Sequence, residues 1–273
     1  MRILCIGDSN TWGYHPGVGL RHEKRWTRLL KDWFPEDEII EEGLCGRTAV
    51  SMDFAKRERC GIDSLKPILM THKPVDLVII MLGTNDLKTV FHTNAKHIAS
   101  GIKEYIKIIK NPFQWEKYSV PEILIAAPVV FRESIAEKEG PGGNFDDYSL
   151  EQSRLLPAAL EKICREYGVD FLNASDYAEA SETDAIHLDA ENHRRLAEGF
   201  AEKIREIHRR MEQQQQKRIA CLKPKDETIL EHTLGYEQLA VDLTAVMAQK
   251  EPDCNVRNAL NCALLEDFDH LYR

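Results

Sequence analysis

The stretch Leu77-Val78-Ile79-Ile80-Met81-Leu82 is unbroken apolar sequence between Asp76 and the polar turn Gly83-Thr84-Asn85-Asp86. A run of this length between turn signals reads as a strand buried on both faces, the pattern of a parallel sheet covered on each side by helices. Ile3-Leu4-Cys5-Ile6, closed by Gly7, is a second such run. Glu38–Glu42, Glu122–Ala127 with Pro128 after it, and Val169–Leu172 predict three more strands. Between them the apolar period lengthens to that of a helix. Trp26, Leu29, Leu30 and Trp33 mark a helix over Glu23–Phe34, and Cys60–His72 reads as another. Ile98, Ile102, Ile106 and Ile109 line one face of Ala95–Lys110, and Leu150–Tyr167 ends at Gly168. Beyond a polar loop from Asn173 to Asp189, the stripe Leu196, Phe200, Ile204, Ile207 and Met211 marks a last long helix with Asp189 as its N-cap.

Strands alternating with helices at this spacing predict an α/β fold: a three-layer α/β/α sandwich around a five-stranded parallel, flavodoxin-like sheet. In such a sheet the loops after strands one, two, three and five emerge at one edge, where open α/β sheets collect ligands. The segment Phe131–Tyr148, which contains Gly140-Pro141-Gly142-Gly143, is long for a simple connection and is expected to be a lid or a subunit contact.

The composition changes at Gln213-Gln214-Gln215-Gln216. The expected organisation is a main domain over 1–212, a linker over 213–226 and a helical hairpin over 227–273. Leu260, Leu264, Phe268 and Leu271 form an apolar face on the second hairpin helix. Homo-oligomerisation through the hairpin or the 131–148 loop is expected. The 273 residues are 43% hydrophobic and 30% charged, enough for a full core. A formal net charge of −9 argues against a nucleic-acid partner. No run of about 18 apolar residues predicts a membrane span. Met1-Arg2 leads straight into the first strand, so a cytoplasmic location is expected. Cysteines at 5, 45, 60, 164, 221, 254 and 262 include no Cys-x-x-Cys pair and read as reduced thiols.

Chemistry enters at the strand ends. Ser9 lies just past Gly7, where it is either a helix cap or an exposed nucleophile. Asp184 precedes His187 by three residues; its carboxylate can fix the imidazole tautomer, or the pair can simply satisfy a loop. The backbone N–H groups of Ser9 and Gly46 and the side-chain amide of Asn85 are candidate oxyanion donors, although Gly46 and Asn85 are also ordinary turn residues.

Gly7-Asp8-Ser9, Gly46, Gly83-Thr84-Asn85-Asp86 and Asp184-x-x-His187 together resemble the four blocks of the SGNH hydrolase superfamily, the GDSL esterases and lipases. Gly-Asp-Ser-x-Thr-Trp-Gly resembles its arylesterase and acyltransferase branch. The resemblance covers about residues 1 to 210. It implies Ser9 as nucleophile, His187 as base, Asp184 as the orienting carboxylate, and Ser9, Gly46 and Asn85 as the oxyanion hole. Asn10 departs from the leucine most often found there, which bears on the acyl pocket. Trp12 is expected to restrict that pocket to small acyl groups.

The function expected is a serine esterase acting on a small-molecule acetyl-type ester through an acyl-enzyme, without cofactor or metal. Alternatives are a thioesterase or lysophospholipase with the same residues, or a hydrolase-fold scaffold whose helical tail binds a partner or metal. The tail faintly resembles part of a ferritin-like protein: Glu266, Asp267 and His270 have the spacing of half a bundle metal site. A charged surface face is the plainer reading of those residues.

Overall fold

The computed structural model describes residues 1–139 and 144–220. Its strands are β1 (Arg2–Gly7), β2 (Glu38–Gly43), β3 (Leu77–Met81), β4 (Glu122–Ala127) and β5 (Asp170–Asn173). They form one parallel sheet in the order β2-β1-β3-β4-β5, the expected flavodoxin-like arrangement. The helices are α1 (Ser9–Trp12), α2 (Trp26–Trp33), α3 (Gly61–His72), α4 (Ala95–Lys110), α5 (Asp147–Tyr167) and α6 (Ala190–Ala220).

The apolar runs fold as their pattern dictates. Ile3, Leu4 and Cys5 of β1 and Leu77 to Ile80 of β3 are wholly buried, because helices cover both faces of the sheet. Ile98, Ile102, Ile106 and Ile109 carry the buried face of α4, and Trp26 of α2 stacks on Phe200 of α6 at 4.3 Å between ring centres.

The register decides where function can sit. Gly7 of β1 lies opposite Gly43 of β2 and Met81 of β3, and Met81 lies opposite Ala126 of β4. The carboxyl ends of these strands are therefore level, and the turns that follow them share one rim.

Three segments differ from the sequence expectation. α2 begins at Trp26, not Glu23, because the chain before it folds back: Tyr14 bridges Arg21, and the His22 N–H donates to the Gly13 carbonyl at 2.6 Å. The stretch after Phe131 is less loop-like than its glycines suggest. Glu133–Glu137 forms a 3₁₀ turn that buries Ile135, and Asp146 starts α5 with a reciprocal capping box to Ser149.

At the other end, α6 continues to Ala220, so residues 213–220, expected to be linker, are helical. Gln, Lys, Arg and Ala all favour helix, and the glutamine run does not interrupt it. The chain divides into two compact units, Met1–Ile207 and His208–Arg273. The rest of the expected linker and the hairpin, with Glu266, Asp267 and His270, lie outside the described residues.

Candidate active site

The first turn is tight because β1 ends on a residue without a side chain. A Cβ on Gly7 would stand 1.9 Å from Thr11 Oγ1 and 3.0 Å from the Met81 carbonyl oxygen. The Asp8 carboxylate accepts from the Asn10 N–H at 2.9 Å and caps α1, which places Ser9 at the first helical position. Ser9 is both helix-terminal and a side chain on the rim.

The loop after β5 brings its partners. Ser9 Oγ and His187 Nε2 are 2.8 Å apart, and His187 Nδ1 and Asp184 Oδ2 are 2.7 Å apart. Asp184 Oδ1 also accepts the N–H groups of His187 at 2.9 Å and Ile186 at 3.2 Å. All three residues are only 5% exposed. Burial pushes the Asp184 carboxyl up, but the His187 side chain and those two backbone donors outweigh it and hold it below the ordinary aspartate value. A carboxylate kept ionised here can orient the imidazole and stabilise its protonated form, leaving Nε2 to take a proton from Ser9.

Two features of this loop could not be read from composition. Ala185 takes a left-handed φ of 64°, a conformation that costs a residue with a Cβ about 1–2 kcal/mol. Hydrogen bonds hold it there: its N–H donates to the Ser181 carbonyl, and its carbonyl accepts from the Arg132 N–H. Asn10 is the other feature. Its Nδ2 donates to the Ile186 carbonyl at 3.3 Å, and its Oδ1 accepts from the Leu188 N–H at 3.0 Å. Asn10 thus ties the histidine loop to the serine helix.

The oxyanion candidates meet on the other side of Ser9. Gly46, at φ 81°, and Asn85 border the same cavity as Ser9 and His187. Asn85 Nδ2 donates one hydrogen to the Arg47 carbonyl at 3.1 Å, which leaves its second for a ligand. The buried Asp86 carboxylate fixes the neighbouring loop, accepting from Ala49 at 2.6 Å, Val50 at 3.0 Å and Ser51 at 2.9 Å. Arg47, also buried, donates to the Gly7 carbonyl at 3.1 Å and so joins that loop to the end of β1.

The cavity holds about 220 Å³. Its walls correct one expectation, since neither Asn10 nor Trp12 lines it. Asn10 is buried in the clamp just described. Trp12 has its backbone against Gly43 of β2, its carbonyl accepts from Arg21, and its ring lies beneath the Arg21 guanidinium at 5.5 Å.

Instead Gly13, at φ 90°, reverses the chain and Tyr14 comes forward, its N–H returning to the Ser9 carbonyl. The Tyr14 ring meets that of His187 at 4.4 Å between centres. Phe145 and Ile186 add apolar wall, and Cys45 adds a thiol that burial pushes up and keeps neutral. Arg59 and Lys88 bring positive charge to the border. Lys88 stands three residues after Asn85 and was within reach of sequence reasoning, whereas Arg59 is brought in by packing alone. Among the described residues no group of three or more His, Cys, Asp or Glu side chains is placed to hold a metal ion, and no helix is long and apolar enough to cross a membrane.

The chain is similar to solved esterases over most of their length. Est24, a carbohydrate acetylesterase from Sinorhizobium meliloti, is 32% identical with a TM-score of 0.70, the match covering 76% of this chain and 99% of that one. The aryl esterase of M. smegmatis is 30% identical with a TM-score of 0.70, covering 75% and 98%. No curated protein sequence matches significantly. The profile of the GDSL-like lipase/acylhydrolase family matches residues 5–195, a span that holds Ser9, Gly46, Asn85, Asp184 and His187. The chain belongs to that family of ester hydrolases.

Proposed function

We propose that the protein is a serine esterase that cleaves small, acetyl-type esters through an acyl-enzyme. The observation that carries this reading is the unbroken hydrogen-bonded line from Ser9 through His187 to Asp184 at the edge of a small cavity. Ser9 Oγ attacks the ester carbonyl as its proton passes to His187 Nε2. The carbonyl oxygen, now negative, accepts from the N–H groups of Ser9 and Gly46 and from Asn85 Nδ2. Collapse breaks the bond to the alcohol, which leaves with the proton from His187. Water then repeats the sequence on the acyl-serine: its proton goes to His187, its oxygen forms the acid, and Ser9 leaves protonated.

The cavity volume, about 220 Å³, favours a short acyl group. It is below the roughly 300–1,000 Å³ of pockets that enclose drug-sized ligands. The similarity to a carbohydrate acetylesterase supports the same acyl group. Ser9→Ala should lower kcat on a chromogenic acetate ester about ten-thousandfold or more, because the residues of such a unit fail together. Turnover within tenfold of the unaltered protein would refute the assignment.

A further inference from the structure

The cavity beside Ser9 adjoins a second, of about 260 Å³, and the two share Gly46, Arg59, Lys88 and Asn144 as walls. The second cavity lies on the oxyanion side. Lys56, Arg59 and Lys88 border it, with Thr48 and Ser51 beside them and Asp53 as its single carboxylate. Asp53 is turned to local use, one of its oxygens accepting from the Ala55 N–H at 2.9 Å.

The three cations form no ion pair among the described residues, whereas Arg2, Arg25, Arg47, Arg132 and Arg154 each meet a carboxylate. The contrast is marked in a chain of net charge −9. Arg59 is also held close to the reaction centre. A Cβ on Gly46 would come within 2.8 Å of Arg59 Nη1 and 3.1 Å of its Cζ, so the guanidinium lies across a glycine that lines both cavities. Lys88 is half-buried between the two spaces. Its ammonium is pushed down first by burial and then by the neighbouring charge of Arg59, with Lys56 adding to it, while the carboxylates of Asp8 and Asp53 oppose the shift without cancelling it. Like charges gathered in a cleft raise the local field and favour an anionic ligand.

We infer that Lys56, Arg59 and Lys88 form an anion subsite, and that the preferred ester carries a carboxylate or phosphate reaching across Gly46 from the scissile bond. This rests on the esterase reading above and names the substrate class for it. An anion seated there would gain charge-assisted hydrogen bonds from Arg59, whose fork suits carboxylate and phosphate. It would also restore the charge balance of Lys88.

The test uses the full chain and three chromogenic or acid-releasing esters. One is a neutral acetate, one a nitrophenyl ester of a dicarboxylic acid with its second carboxylate free, and one an acetate of a phosphorylated alcohol. The expected result is a kcat/KM about tenfold or more above that of a neutral ester of equal size for one of the two anionic esters, the value of one charged hydrogen bond. Which ester gains tells whether the acyl or the alcohol part occupies the subsite. The preference should fall as salt rises. Lys56→Gln and Arg59→Gln should each reduce the ratio of anionic to neutral kcat/KM severalfold, and inorganic phosphate should inhibit neutral-ester turnover less in both variants. Equal kcat/KM for anionic and neutral esters, or variants that change both by the same factor, would overturn the subsite while leaving the esterase reading intact. No turnover of any ester would instead overturn the esterase reading and the subsite with it.

Discussion

Replacing Asn10 removes a tie between two loops without touching any group placed in the chemistry. The residue is 2% exposed, and its side chain makes both of its bonds to the backbone of the histidine loop. In Asn10→Leu the branched shape is kept, but the Leu188 N–H and the Ile186 carbonyl lose their partners in a place water does not reach. Each buried group left unpaired costs about 1–3 kcal/mol. The pair therefore costs about 2–6 kcal/mol, a large share of the roughly 5–15 kcal/mol that holds a domain together. At about 2–4 °C per kcal/mol for a domain of this size, the melting temperature should fall by roughly 10 °C. His187 lies between the two tethered residues, and a displacement of its ring of about 1 Å is enough to cost about a hundredfold in rate. Calorimetry and nitrophenyl acetate kinetics would show both effects, with kcat falling and KM little changed. Asn10→Ala separates bonds from packing: it should be no better than Asn10→Leu. A leucine variant with the melting temperature and kcat of the unaltered protein would refute the clamp.

Two further outcomes follow from buried groups near the rim. Asp86→Asn should destabilise the protein by about 2–3 kcal/mol in chemical denaturation and lower kcat, because an amide has one acceptor oxygen for three backbone N–H donors; unchanged stability would show that the loop holding Gly46 does not depend on that carboxylate. His193, wholly enclosed, has its pKa pushed down to about 3, chiefly by burial and then by the neighbouring His22. Between about pH 6.5 and pH 3 the unfolded chain therefore binds a proton that the fold does not, so stability falls as pH drops below 6.5, by at most about 1.4 kcal/mol per unit. His193→Asn keeps an acceptor for the Trp26 N–H, which donates to His193 Nδ1 at 3.4 Å, and should flatten that slope between pH 6.5 and 5; the same slope in both proteins would place its source elsewhere.

The strands and the order of the sheet were legible because burial on both faces leaves an uninterrupted apolar run, as in Leu77–Met81, that few other structures need. The rim residues Ser9, Gly46, Asn85, Asp184 and His187 were legible because each follows a strand end, and parallel strands in level register deliver such residues to one place. The cavity wall was not. Trp12 is nearer to Ser9 in sequence than Tyr14, yet one left-handed residue, Gly13, decides that Tyr14 meets His187. Arg59 and Phe145 arrive on connections whose paths depend on packing, and no local pattern marks them.

The motif residues beside the reactive ones explain why the rim is so well defined. Ser9, Gly46, Asn85 and His187 all stand on turns, and turns are the mobile parts of most folds. Here three buried polar side chains tie the turns to one another through the backbone. Asp86 holds residues 49–51, Arg47 reaches the end of β1, and Asn10 holds residues 186–188. A hydrogen bond to a backbone group fixes position without depending on the partner's side chain, so these ties constrain geometry more than sequence. In the proposed mechanism they place the donors and the base before any substrate arrives, which is where the catalytic value of preorganised dipoles lies. Asn10, expected at the acyl pocket, belongs with Asp86 and Arg47 as a positioning residue. The short spacing from Ser9 to Asn10 and from Asn85 to Asp86 then has one physical meaning: a residue of the proposed site and the group that anchors its surroundings share a single turn.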